Sequence, residues 1–273
     1  MSEHHEPADE VLLEGEGWTE VYRVGDTVRR PARPQTATVH AFLAYLNQRG
    51  FTGAPRPFGY DPKGREVLSY VDGVVPKEPL PGWAAGERQL AELARLIRRA
   101  HDAAEGWDPP PGAVFGSIPG PPQQGTEPLV AEPELVAHQD YCPGNVVFRG
   151  GMPAALIDFD LARPTTRVAD AVNAMYWWAP LCHPQDRGPA LAGADAARRV
   201  RIFADAYGMD EVQRSGIVDA ALRRQRISAV TMRAAAESDP VFRRWWDEGM
   251  KDKLSRAESW LTAHAPALRE ALL

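Results

Sequence analysis

The segment His138 to Phe148, HQDYCPGNVVF, with Ile157, Asp158, Phe159 and Asp160 following it, constrains this chain more than any other feature. It presents Asp140, Asn145 and Asp158 in order, each set among apolar residues that read as short strands. Val146, Val147 and Phe148 form a β-branched and aromatic run, Arg149 to Met152 holds a Gly-Gly turn, and Ala154 to Ile157 reads as the returning strand. A hairpin of that kind brings Asp158 back beside Asn145.

Two acids and an amide in this spacing suit magnesium-dependent phosphoryl transfer to a hydroxyl. A transferring phosphoryl group asks a protein mainly for positioning and for neutralisation of charge on its oxygens. Asp140 can accept or orient the proton of an acceptor hydroxyl, and Asn145 and Asp158 can hold Mg2+ against the phosphates of a nucleotide.

These segments resemble the catalytic and metal-binding loops of the aminoglycoside phosphotransferase family. Like the related choline and homoserine kinases, that family resembles protein kinases in fold and uses a His-x-Asp-x-x-x-x-Asn loop with an Asp-Phe-Gly-like motif. The loop pattern is complete here. Gln139 stands where the family usually has Gly or Asn, Tyr141 and Cys142 replace common Leu and His, and Asp160 stands where protein kinases have Gly.

The resemblance implies an α/β (α+β) chain with a bilobal protein-kinase-like fold: a small antiparallel β-sheet N-lobe and a mainly helical C-lobe. The expected division is a disordered terminus at 1–10, a nucleotide-binding lobe at 11–70 and a catalytic and acceptor-binding lobe at 71–273. Within that frame Asp140 and His138 belong to the catalytic loop, His138 and Asp170 as its supports. Asn145 and Asp158 are the expected metal ligands. Gly15 and Gly17 fall in the first hairpin, where glycine lets backbone approach the phosphates of ATP or GTP. Ser69, Tyr70 and Val71 fall where the hinge backbone meets the purine. Asp160, Trp177 and Trp178 are candidates for the acceptor pocket, with core packing the competing reading for the two tryptophans.

One departure concerns the lysine that the family places on its third strand. No lysine precedes Lys63, so that residue must be absent or replaced, with Arg30 or Arg29 the candidates, and a guanidinium fork is not a conservative replacement for an ammonium. The helix expected at 38–49 contains no Glu to partner such a lysine and carries His40 in that neighbourhood, so lysine and partner are read as lost together. The helix ending at His101 and Asp102 is read as structural at its histidine. Arg223, Arg224 and Arg226 are read as a solvated helix face.

Composition narrows the alternatives. The 273 residues are 44% hydrophobic and 25% charged, which is ordinary for a globular protein. A formal net charge of -6 argues against a nucleic-acid partner, which needs a basic face. No Walker A pattern appears, no apolar run is long enough to span a membrane, and two cysteines make no framework, so the cytoplasm is the expected compartment. Cys142 lacks a partnered histidine and is read as a loop-filling residue. The implied partners are a nucleoside triphosphate and a small-molecule hydroxyl acceptor, plausibly an antibiotic, with resistance or self-protection as the role. A metabolite kinase of the choline or homoserine type and a catalytically degenerate kinase-like binding protein are the competing functions.

Overall fold

The first part of the chain forms an antiparallel sheet because its short β-branched runs are separated by glycine turns. In the computed structural model, which describes residues 10–13, 20–121 and 132–273, β1 (Val11–Leu13), β2 (Val21–Val24) and β3 (Thr27–Pro31) pair in sequence. Gly25, at φ 58°, supplies the left-handed residue of the β2–β3 turn. Helix α1 (Thr36–Gln48) follows and buries Val39, Phe42, Leu43 and Leu46, a three-and-four spacing that makes one apolar stripe. β4 (Pro57–Tyr60) and β5 (Arg65–Ser69) complete a five-stranded sheet in the order β1-β2-β3-β5-β4. Strand β5 thus lies between β3 and β4, which is why Glu66, Val67 and Leu68 are all buried.

The rest is mainly helical. Helix α2 (Glu87–Ala104) buries Leu90, Leu93, Ala94 and Ile97 and packs on the hairpin and helices that follow. Four short strands, β6 (Leu135–Ala137), β7 (Val146–Arg149), β8 (Met152–Leu156) and β9 (Arg163–Thr165), make two antiparallel pairs, β6 with β9 and β7 with β8. Then come α3 (Arg167–Trp178), α4 (Ala196–Tyr207), α5 (Glu211–Ser238), α6 (Pro240–Trp245) and α7 (Lys251–Leu272). Their limits follow local chemistry: Thr166 caps α3, Gly208 at φ 80° ends α4, and a reciprocal Asp210–Gln213 capping box starts α5. Most of these helices extend beyond the apolar runs that announce them, because capping residues, not apolar ones, set the ends.

One apolar cluster joins the parts, running from Phe42 and Leu43 of α1 through Leu93 and Ile97 of α2 to Phe203 of α4 and Leu261 of α7. Each such side chain stabilises the fold by roughly 1.5–3 kcal/mol on burial. The connection after β5 is fixed by Gly73, where a Cβ would meet Val147 Cγ1 at 2.5 Å and the Phe148 carbonyl at 2.6 Å. Only glycine lets the chain approach closely enough for Val74 to exchange backbone hydrogen bonds with Phe148 at 2.9 and 2.8 Å. The architecture is the expected α/β class: a small antiparallel sheet followed by a helical C-terminal part. Among the described residues no helix is long and apolar enough to cross a membrane.

Candidate active site

The loop after β6 is held from beneath by α3. Asp170, fully buried, accepts from the Gln139 backbone N–H at 2.8 Å, from Gln139 Nε2 at 2.6 Å, from His101 Nε2 at 2.7 Å and from the Tyr141 hydroxyl at 2.5 Å. Burial opposes its charge, yet the donors from His101, Tyr141 and Gln139 prevail and hold its carboxyl below the usual carboxylate range. Asn173 receives the Tyr141 N–H at 2.9 Å and donates to the Gln139 carbonyl at 2.7 Å. These contacts sustain a left-handed backbone at Gln139, φ 65°, a position where glycine or asparagine is easier. Asp170 therefore anchors the loop, and His101 anchors Asp170.

Asp140 rises from this base. Asn145 Nδ2 donates to Asp140 Oδ2 at 2.9 Å and to its carbonyl at 3.1 Å. The β7–β8 register pairs Val146 with Leu156, so Asn145 and Ile157 meet next, with Ile157 N–H on the Asn145 carbonyl at 3.0 Å. Asp158 then follows at φ 61° and ψ 69°, a left-handed turn that stops the strand and lifts the carboxylate beside the loop. Burial pushes the Asp140 carboxyl up from its ordinary value, and the negative charge of Asp158 adds to this. His138 is not aimed at the cavity. Its Nε2–H donates to the Ile157 carbonyl at 2.8 Å, its Nδ1 accepts from Asp140 N–H at 3.2 Å, and its ring lies between Tyr141 and Phe159. With both nitrogens committed it supports the loop and does not act as a proton-transfer group.

The two candidate arginines of β3 point to different places, as alternation along a strand requires. Arg29 bonds Thr27 and lies 3.9 Å from Asp61. Arg30 lines the cavity and spends its whole fork on carboxylates: Nε to Glu66 at 2.6 Å, Nη1 to Asp158 at 2.9 Å and Nη2 to Asp160 at 2.5 Å. Arg33 reaches the other oxygen of Asp160 at 3.6 Å. Against the desolvation that raises it, the Arg30 guanidinium holds the Asp158 carboxyl below the usual carboxylate range. The reading that the lysine's partner is lost is corrected here. Glu66, opposite Arg30 in the β3–β5 register and 2% exposed, takes that place, and His40 Nε2 closes on its second oxygen at 3.0 Å. The carboxylate comes from the neighbouring strand and not from α1.

A cavity of about 2000 Å³ opens beside these groups. Val21, Val28 and Leu68 line it from the sheet, with Ser69, Tyr70 and Val71 along one edge. The N–H groups of Ser69 and Tyr70 donate to the Arg56 and Asp26 carbonyls at 2.8 Å. Gly15 and Gly17 lie outside the described residues. Tyr176, Trp177, Arg163 and Arg224 line the cavity from the helical side. Trp178 does not: it is fully buried and donates its indole N–H to the Tyr141 carbonyl at 2.7 Å, so the acceptor-contact reading fails for it and the packing reading holds. Arg224 likewise leaves the solvated face assigned to it. Arg226 does pair outward with Glu258, but Arg224 continues the buried stripe of Ile217 and Ala221, a helical spacing that could have disclosed it. Burial pushes the Cys142 thiol well up, so a thiolate nucleophile is disfavoured.

For a cation, the groups available are the Asp158 carboxylate and the Asn145 carbonyl oxygen, whose amide nitrogen is occupied by Asp140. Both are hard oxygen donors, the kind that hold Mg2+ with water and phosphate oxygens completing an octahedron.

Comparison with known proteins places this geometry. The model of the phosphotransferase enzyme family matches residues 120–213. The trifolitoxin immunity protein of Rhizobium leguminosarum bv. trifolii is 30% identical over 280 residues, covering 97% of this chain and 99% of that protein. Among solved structures, a choline/ethanolamine kinase family protein from Mesorhizobium loti superposes with a TM-score of 0.62 at 15% identity, over 98% of this chain and 94% of its own. An amicoumacin kinase in complex with AMP-PNP, Ca2+ and its antibiotic gives a TM-score of 0.62 at 14% identity, over 92% and 90%. With a relative alike over nearly its whole length and the family model seated on the segment that carries Asp140, Asn145 and Asp158, this chain belongs to the aminoglycoside phosphotransferase and choline kinase family of phosphotransferases.

Proposed function

We propose that this protein transfers the γ-phosphate of ATP or GTP to a hydroxyl of a small molecule in a magnesium-dependent reaction. The observation that carries this is the meeting of Asp140, Asn145 and Asp158 at the wall of one cavity, with Arg30 directed to the same place. Asp140 takes or orients the proton of the acceptor hydroxyl, a task favoured by a carboxyl raised from its ordinary value by burial. Asn145 keeps the Asp140 carboxylate turned to the cavity. Asn145 Oδ1 and Asp158 would hold Mg2+, which when bound neutralises charge on the phosphate oxygens. Arg30 offers the cation that the family's lysine supplies elsewhere, with Glu66 fixing its direction. The hinge at Val71 receives the purine, and the site so divided corresponds to lobes at 11–70 and 71–273.

The acceptor we favour is an antibiotic, and the role is protection of the cell that makes or meets it. Support comes from the relative named for trifolitoxin immunity and from the amicoumacin kinase of like fold. Nucleoside triphosphate as donor implies action in the cytoplasm. One observation favours a second reading, a binding protein without turnover: Arg30 occupies the Asp158 oxygen that a metal would need. Nucleotide consumption with ATP and GTP, with and without Mg2+, against aminoglycoside, macrolide, peptide and nucleoside antibiotics and choline separates them. Turnover with one acceptor class is the expected result. Nucleotide binding with no consumption for any acceptor would favour the binding protein, and turnover with choline alone would favour a metabolite kinase.

A further inference from the structure

Among the described residues, two cations that line the cavity, Arg163 and Arg224, form no hydrogen bond or ion pair. Arg163 stands in β9 opposite Ala137, next to the loop that carries Asp140, and Arg224 stands in α5 with its guanidinium 5.0 Å over the Tyr176 ring. Other enclosed arginines of this chain are satisfied. Arg30 holds three carboxylates, Arg199 donates to the Trp178 carbonyl at 2.7 and 3.0 Å, and Arg187 donates to the carbonyls of Cys182 and Ala194. Among the described residues, neither Arg163 nor Arg224 is hydrogen-bonded or ion-paired. Burial lowers the pKa of each and for Arg163 the charge of Arg224 adds to this, while the charge of Asp140 opposes the shift at both and that of Asp170 opposes it at Arg163. An arginine nonetheless stays charged in a protein. An enclosed cation without a partner is costly, and an aromatic face compensates only part of that cost.

We infer that the acceptor is an anion, a hydroxyl compound bearing a carboxylate that Arg163 and Arg224 hold on the wall built by β9 and α5. Guanidinium forks match carboxylate oxygens two to two, which would fix the acceptor's orientation with its hydroxyl toward Asp140. A wholly cationic acceptor would meet two like charges beside the base. Of the acids elsewhere in the cavity, Asp186 is held by Nη2 and Nε of Arg256 at 2.6 and 2.8 Å and Glu248 stands 4.0 Å from Arg244, while Glu78 and Asp252 also line the wall. The volume of the cavity, which Tyr176 and Trp177 also line, admits an acceptor larger than an amino acid.

The inference takes the word acceptor from the phosphotransferase reading, but its test needs no turnover. Calorimetric titration of the full protein, in the presence of Mg-AMP-PNP, would compare matched acids and amides: glycolate with glycolamide, L-serine with L-serinamide, and the tripeptide Trp-Gly-Ser with a free or amidated C-terminus. The expected result is that at least one acid binds about ten- to a hundredfold more tightly than its amide, with the preference lost in Arg163→Gln/Arg224→Gln. Equal affinities within every pair, or no acid binding at all, would overturn it, and so would an acid preference that survives the double substitution. The wild-type comparison stands even if that variant does not fold. Absence of phosphorylation beside a clear acid preference would count against the phosphotransferase and leave the anion site, whereas turnover of the amides as fast as the acids would do the reverse.

Discussion

At the scale of single residues, the site is a set of carboxylates kept apart by the cations placed between them. Arg30 separates Glu66, Asp158 and Asp160, and removing it would leave three acids facing one another. Arg30→Ala should therefore weaken Mg-nucleotide binding about ten- to a hundredfold, the worth of charge-assisted contacts to phosphate, and an unchanged dissociation constant in a fluorescence titration would show that Arg30 does not meet the nucleotide. Asp140 gives a pH prediction. Because its carboxyl is raised, the deprotonated base is lost as pH falls through a value above the ordinary carboxylate pKa of about 3.9. The acidic limb of kcat/KM should lie above that value and vanish in Asp140→Asn; a limb that persists in the variant would belong to another group. Asp140, Asn145 and Asp158 were legible because their spacing along the chain is itself the chemical pattern, and Asp170 because the family resemblance puts an anchoring aspartate there. Glu66 was not, since its pairing with Arg30 is created by the β3–β5 register, and neither was Arg163, which only the β6–β9 ladder carries to the cavity.

At the scale of elements, α3 and the β7–β8 hairpin work as the clamp and the return arm of the catalytic loop. The hairpin was readable from its Gly-Gly turn and the β-branched and aromatic run that precedes it. The clamp was readable only at Asp170, because Asn173 and Trp178 reveal their bonds to Gln139 and Tyr141 only when the helix is laid under the loop. Asp170→Ala would leave the Gln139 N–H, the Tyr141 hydroxyl and His101 without their shared acceptor. We expect a loss of about 3–5 kcal/mol of stability in urea unfolding, the usual cost of breaking a buried pair. A loss under about 1 kcal/mol would mean that the loop stands without the clamp. The sign of its pH dependence follows from the lowered pKa. The Asp170 contribution is present above the unfolded carboxylate pKa near 3.9 and disappears as pH falls through the lower folded value. Wild-type stability should fall more steeply than that of Asp170→Asn in that acid window.

At the scale of the whole molecule, the cavity lies between an antiparallel sheet that carries Arg30 and helices that carry Tyr176, Trp177 and Arg224, while the catalytic loop faces it from below. The small sheet and helical remainder were legible from patterning, but the length of the C-terminal helices was not, since α7 begins in polar sequence and both α6 and α7 depend on burial against α5. A ligand that bridges sheet and helices stabilises both. At a hundred times its dissociation constant, Mg-nucleotide should add about 2.7 kcal/mol to unfolding, seen as a rise in Tm, and Asp158→Ala should show a much smaller rise. An equal rise in that variant would place the metal elsewhere. The central claim is that Asp140 performs the chemistry at a site formed with Asn145 and Asp158, and the most direct measurement is Mg2+-dependent phosphate transfer by wild type and Asp140→Asn at matched nucleotide saturation. The account predicts a kcat lower by about 10²–10⁴ in the variant with nucleotide affinity retained; equal kcat in the two proteins would contradict it.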